Sequence, residues 1–257
     1  MPARQHRARR AVRASRRLAA AGLATILLVA CGGASADDGT EIADREYVPP
    51  KNCPAEEQRS RVIAVVGTHA NMPSPILTQV DGPVTSHKLD CAFAYLLEHG
   101  GTLTVIDVDG DPSARVTNFE IDEGLNGPGR QYQQKQFQPA LVEALRVEAD
   151  DEGADLHGAL DLALRTAQAH PEDSIVIVLD NGLSDRGAIN MTREGWTQAD
   201  PEEVVAALAQ TGKGLQSDPG VTVILSGLAE TADPQPRLDM AQERNVAAIW
   251  EAVVKAS

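Results

Sequence analysis

The chain has 257 residues, a formal net charge of −14 and few aromatics. That length holds one large domain or two small ones. Residues 1–30 carry seven Arg and no acid, so the remainder bears a formal −21. Such acidity repels phosphate backbones and excludes a nucleic-acid binder.

The N-terminus reads as a signal. Arg4 to Arg17 form a basic stretch, Leu18–Ala30 is apolar, and the run closes Leu28-Val29-Ala30-Cys31-Gly32. A basic segment, a short apolar segment and small residues at a cleavage point mark export. The apolar run is too short to span a bilayer of ~30 Å as a helix. Leu-Val-Ala-Cys-Gly resembles the bacterial lipoprotein box. That implies cleavage after residue 30, a lipidated Cys31, and a membrane anchor on the extracytoplasmic face. An ordinary signal cleaved nearby leaves Cys31 incidental. Arg16-Arg17 permits twin-arginine export as well as the general route.

Residues 31–51 are small, acidic and Pro-containing with no apolar period, and read as a flexible tether. A folded domain is expected over 52–257. Cys53 and Cys91 are the remaining cysteines. Two Cys in an exported chain suggest one disulfide, with two buried thiols as the alternative.

Arg61–Gly67 is a short apolar run rich in β-branched residues, as expected of a strand buried on both faces. Ser86–Glu98 has helical apolar spacing and stops at His99-Gly100-Gly101. Thr102–Val108 is a second buried strand, and Ala114–Ile121 an edge strand. A helix is expected over roughly Gln133–Ala149 and another over Leu156–Ala169. Ser174–Leu179, SIVIVL, is the most strand-like run. Asp200-Pro201-Glu202-Glu203 starts a helix that runs to about Gln210. Val221–Leu225 is a strand, and Arg237–Lys255 a closing helix with Trp250 in the core. Strands alternating with helices predict an α/β domain with an open, mainly parallel, Rossmann-like sheet and helices on both faces.

Three segments carry a resemblance. The loop after Val66 reads Gly67-x-His69-x-Asn71-Met72. Glu152-Gly153-Ala154-Asp155-Leu156 precedes a helix. Asp180-Asn181-Gly182 follows a strand. Their order and context resemble the three metal-site segments of von Willebrand factor type A domains, and the order of elements over Arg61–Lys255 resembles that fold. In the family these segments hold a divalent metal through Asp, Ser and Thr oxygens. Here the corresponding positions are Gly67, His69, Asn71, Ala154 and Asn181, none a carboxylate. Hard divalent cations are held mainly by carboxylate and water oxygens, so the resemblance implies the scaffold without the metal and no cofactor. Asp155 and Asp180 leave open a cation bound in another way, and His69 a ligand or pH-sensitive role. His87, His99, His157 and His170 read as structural.

The expected function is therefore a lipid-anchored, extracytoplasmic protein-interaction module rather than an enzyme. Its protein partner would meet His69, Asn71, Asp155, Asp180, Asn181, Asp185 and Arg186 at the carboxyl ends of the strands, where open α/β sheets bind ligands. The alternative is enzymatic. Val105-Ile106-Asp107-Val108-Asp109-Gly110 resembles the first motif of haloacid-dehalogenase-type phosphatases, which implies Asp107 as nucleophile and Asp109 beside it at Mg²⁺. Asp111 departs from that motif, and no suitable Lys or late acidic pair follows. No phosphate loop and no Gly-x-Ser-x-Gly elbow is present.

Overall fold

The computed structural model describes residues 53–68, 85–111, 115–125, 127–129, 131–133, 136, 153–193, 195–231 and 237–257. The signal and tether, His69 and Asn71, and most of the helix expected over Gln133–Ala149 lie outside the described residues. Of that helix, residue 133 and residue 136 are described and helical.

Five strands form one sheet: β1 (Arg61–Gly67), β2 (Gly101–Val108), β3 (Val116–Ile121), β4 (Ser174–Leu179) and β5 (Thr222–Ser226). Their spatial order is β3-β2-β1-β4-β5. β1 is parallel to β2 and β4, β4 is parallel to β5, and β3 alone is antiparallel, at the edge. Among the described residues the helices with both ends defined are α1 (Thr85–His99), α2 (Leu156–Ala167), α3 (Pro201–Gln210) and α4 (Met240–Lys255).

Burial explains the central strands. Residues 62–67 and all of β4 are buried, so both faces must be apolar and alternation disappears. Successive side chains still divide between two cores. Ile63, Val65, Ile106, Val108, Val176 and Val178 face α2, α3 and α4. Val62, Ala64, Val66, Leu103, Val105, Ile175 and Ile177 face α1, through Leu89, Ala92, Phe93 and Leu96. Topology dictates this division. The step from β1 to β2 runs one way across the sheet, whereas the steps from β2 to β4 and from β4 to β5 run the other. Right-handed crossovers then put α1 on one face and α2 and α3 on the opposite face. The direction reverses between β1 and β4, which opens a crevice at their carboxyl ends.

Local chemistry fixes the helix ends. Asp200 accepts hydrogen bonds from Glu202 N (2.8 Å) and Glu203 N (3.3 Å), with Pro201 in the first helical position. At α4, Asp239 accepts from Ala241 N and Gln242 N while Gln242 Oε1 accepts from Asp239 N. Such a cap contributes about 1 kcal/mol. It sets the start of α4 at Met240, so Arg237–Asp239 belong to the preceding loop rather than to the helix that periodicity predicts.

Cys53 and Cys91 form a disulfide, Cα–Cα 5.3 Å. It ties the segment before β1 to the core side of α1, where Cys91 is buried. Trp250 is fully buried. Its indole N–H donates to Gly182 O at 2.9 Å, binding α4 to the loop after β4. Among the described residues no helix is long and apolar enough to cross a membrane.

Candidate functional site

The crevice lies where β1 ends at Gly67-Thr68 and β4 passes into Asp180–Ser184. Asp180 and Asn181, expected to face a partner, are fully buried. Asp180 Oδ1 accepts from Gly182 N (2.6 Å), and Asn181 Oδ1 accepts from Leu183 N (2.9 Å). Short Asx side chains fold back on their own backbone in this way and build a turn. Gly182 completes it at φ +74°, and a Cβ there would press on the Trp250 ring. The Asp180-Asn181-Gly182 turn thus holds the loop, the sheet and α4 together, and neither polar side chain is left at the surface.

Downstream, the loop joins the start of α2. Ala154 N donates to Asp185 Oδ1 (2.7 Å), while Ala154 O accepts from Asp185 N and Arg186 N (both 3.1 Å). Leu156 N donates to Ser184 Oγ (3.0 Å), a buried hydroxyl. Asp155 N donates to Asp109 O (3.0 Å), which adds the end of β2 to the same knot. Asp155 Oδ1 accepts from Gly158 N (2.8 Å) and caps α2. Two glycines permit the close approach. A Cβ on Gly153 would run into the Arg186 side chain, and one on Gly187, at φ +74°, into the Asp155 carboxylate. Residues 154–155 and 184–186, among those expected at the carboxyl ends of the strands, therefore meet. Their accessible polar groups are Asp155 and Asp185, half-buried, and Arg186, exposed.

The described members of this donor set do not make a site for a hard divalent cation. Gly67 and Ala154 offer no side-chain oxygen, and the Asn181 oxygen already accepts a backbone N–H. Asp180 and Asp185 each spend one carboxylate oxygen in the same manner. Among the described residues no three His, Cys, Asp or Glu side chains converge as a metal cluster.

A second polar centre lies at the end of β2. Asp107, opposite Val66 of β1, is buried at 6% exposure. Among the described residues its Oδ1 has no hydrogen-bond partner, and the same holds for the buried Thr68 Oγ1. Burial pushes the Asp107 carboxyl up to about 6; the Arg115 charge opposes the rise and Asp109 adds to it. Asp109 Oδ1 accepts from Asp111 N (2.8 Å), and its Oδ2 lies 3.9 Å from Arg115 Nε. Sequence reasoning met Asp107 only through a phosphatase motif. The available signal for burial was the lone acid within the apolar run Val105–Val108.

His157 is structural. Its buried ring meets the Lys213 carbonyl at 2.9 Å through Nε2, which must therefore carry the proton. Burial lowers its pKa, so the neutral ring is the favoured form.

Comparison of the chain with protein-family models, with curated proteins and with solved structures finds no match.

Proposed function

We propose that this chain is a lipid-anchored, extracytoplasmic interaction module of the von Willebrand factor type A kind, with no working metal site, that binds a protein partner. The lipidated Cys31, the tether over 31–51 and the domain over 52–257 belong to this reading. The observation that carries it is the knot at the carboxyl end of the sheet. Loops 153–158 and 180–187 are bound to each other through backbone groups and side chains, presenting Asp155, Asp185 and Arg186 on a rigid rim. The element order and the antiparallel edge strand support the same reading.

A partner reaching this rim meets the Arg186 cation and the Asp155 and Asp185 carboxylates, with no metal to recruit a carboxylate of its own. Docking then relies on hydrogen bonds, shape and a basic or amide group near Asp155 and Asp185. The test is capture of envelope proteins by the detergent-extracted full-length protein, in EDTA and in Mg²⁺. The same partner should be retained equally in both, and an Asp185→Arg substitution should weaken retention at least tenfold. Capture that needs Mg²⁺ would overturn the reading.

The phosphatase alternative has one observation in its favour, the buried Asp107 at a strand end. Against it, Asp109 is already engaged by the Asp111 N–H and lies beside Arg115.

A further inference from the structure

At the carboxyl end of β5 an open cavity of about 670 Å³ lies between the loop that follows the strand and the start of α4. Its size falls among small-molecule sites, roughly 300–1,000 Å³. Leu228, Leu238 and Ala247 give it an apolar lining, and Glu230, Arg237, Glu243 and Arg244 add four charges.

The wall on the strand side is firmly held. Ala229 N donates to Asn181 O at 2.8 Å, and Glu230 N donates to Gly227 O at 3.0 Å. Ala229 adopts φ +66°, the one non-glycine residue with positive φ among the described residues. The left-handed region is disfavoured for a residue with a Cβ, and strain of this kind concentrates where a structure clamps a ligand. The opposite wall is equally defined, because the Asp239–Gln242 capping box fixes where α4 begins.

The charges have not been used up internally. Among the described residues Glu230, Arg237, Glu243 and Arg244 make no ion pair and no side-chain hydrogen bond, although two acids and two bases line one cavity. A simple anion would be drawn by the Arg residues and repelled by the Glu residues, and a simple cation the reverse. A ligand carrying both signs satisfies all four. The carboxylate binds guanidinium in a bidentate fork, the ammonium binds carboxylate, and an apolar body covers Leu228, Leu238 and Ala247.

We infer that this cavity binds a short zwitterionic peptide, with a free amino group, a free carboxylate and apolar side chains. A single amino acid would leave much of the volume empty, whereas a dipeptide fills more of it and still carries one charge of each sign. This site is separate from the rim formed by Asp155, Asp185 and Arg186, and the inference does not depend on the partner proposed for it.

Calorimetric titration of the detergent-extracted full-length protein tests it with three probes, leucyl-leucine, valyl-leucine and alanyl-phenylalanine. At least one should bind saturably at one site per chain. Acetylating its amino group or amidating its carboxylate should each weaken binding at least tenfold. The paired variants Arg237→Gln/Arg244→Gln and Glu230→Gln/Glu243→Gln should each do the same, with unchanged circular dichroism. Saturable heat for none of the probes would overturn the inference. So would equal binding of a dipeptide blocked at both ends, or binding indifferent to both paired variants.

Discussion

Replacing Cys53 and Cys91 together by Ala should lower the stability of the oxidised protein by about 3–4 kcal/mol. The bridge joins residues 38 apart, and the chain-entropy model gives that figure for such a loop. The Cα separation of 5.3 Å lies within the range usual for disulfides. The bridge also has a specific task. Residues before β1 contribute the short 3₁₀ turn Ala55–Glu57, and the bridge fastens this segment to α1. Urea unfolding of the two proteins measures the difference. A loss below about 1 kcal/mol would show that the segment is held without the bridge.

Asp107→Asn should stabilise the protein at pH 8, by about 2–3 kcal/mol, and leave it nearly unchanged at pH 4. The folded-state pKa is raised to about 6 from 3.8. Between those values the native state binds more protons than the unfolded chain, so stability falls as pH rises through the window and then levels off. A shift near two units corresponds to about 3 kcal/mol. Asn removes the charge but keeps an amide that also lacks a partner, which takes back part of the gain. Unfolding midpoints from pH 4 to 8 give the profile. Stabilisation of equal size at every pH would mean that packing, not the buried charge, is responsible. The same variant separates the phosphatase alternative, because hydrolysis of a generic phosphate ester that requires Asp107 would make the protein an enzyme.

The elements most legible from sequence were the ones buried deepest. Arg61–Gly67 and Ser174–Leu179 match their strands because burial on both faces leaves a bare apolar run. Pro201–Gln210 was legible because its cap, its Pro and its acids lie in consecutive positions. The start of α4 is not, because apolar period says nothing about where a helix is capped, and the Asp239–Gln242 box sets that point.

The site shows a sharper limit. Position marked Asp180 and Asn181 as residues at a strand end, and they are. Whether an Asx side chain points outward or folds back on its own backbone depends on the turn, and here Gly182 and Trp250 decide for the turn. The meeting of Ala154–Asp155 with Ser184–Arg186 followed from topology alone. The cavity beside β5 did not, because Glu230 and Arg237 are ordinary loop residues in sequence and become neighbours of one space only when α4 packs beside the loop.

The central claim is that the carboxyl end of this sheet binds without a metal. Calorimetric titration of the full-length protein with Mg²⁺, Mn²⁺ and Ca²⁺ tests it most directly. The account predicts no saturable heat for any of the three. Stoichiometric binding at micromolar affinity, lost in an Asp180→Asn or Asp185→Asn variant that remains folded, would contradict it.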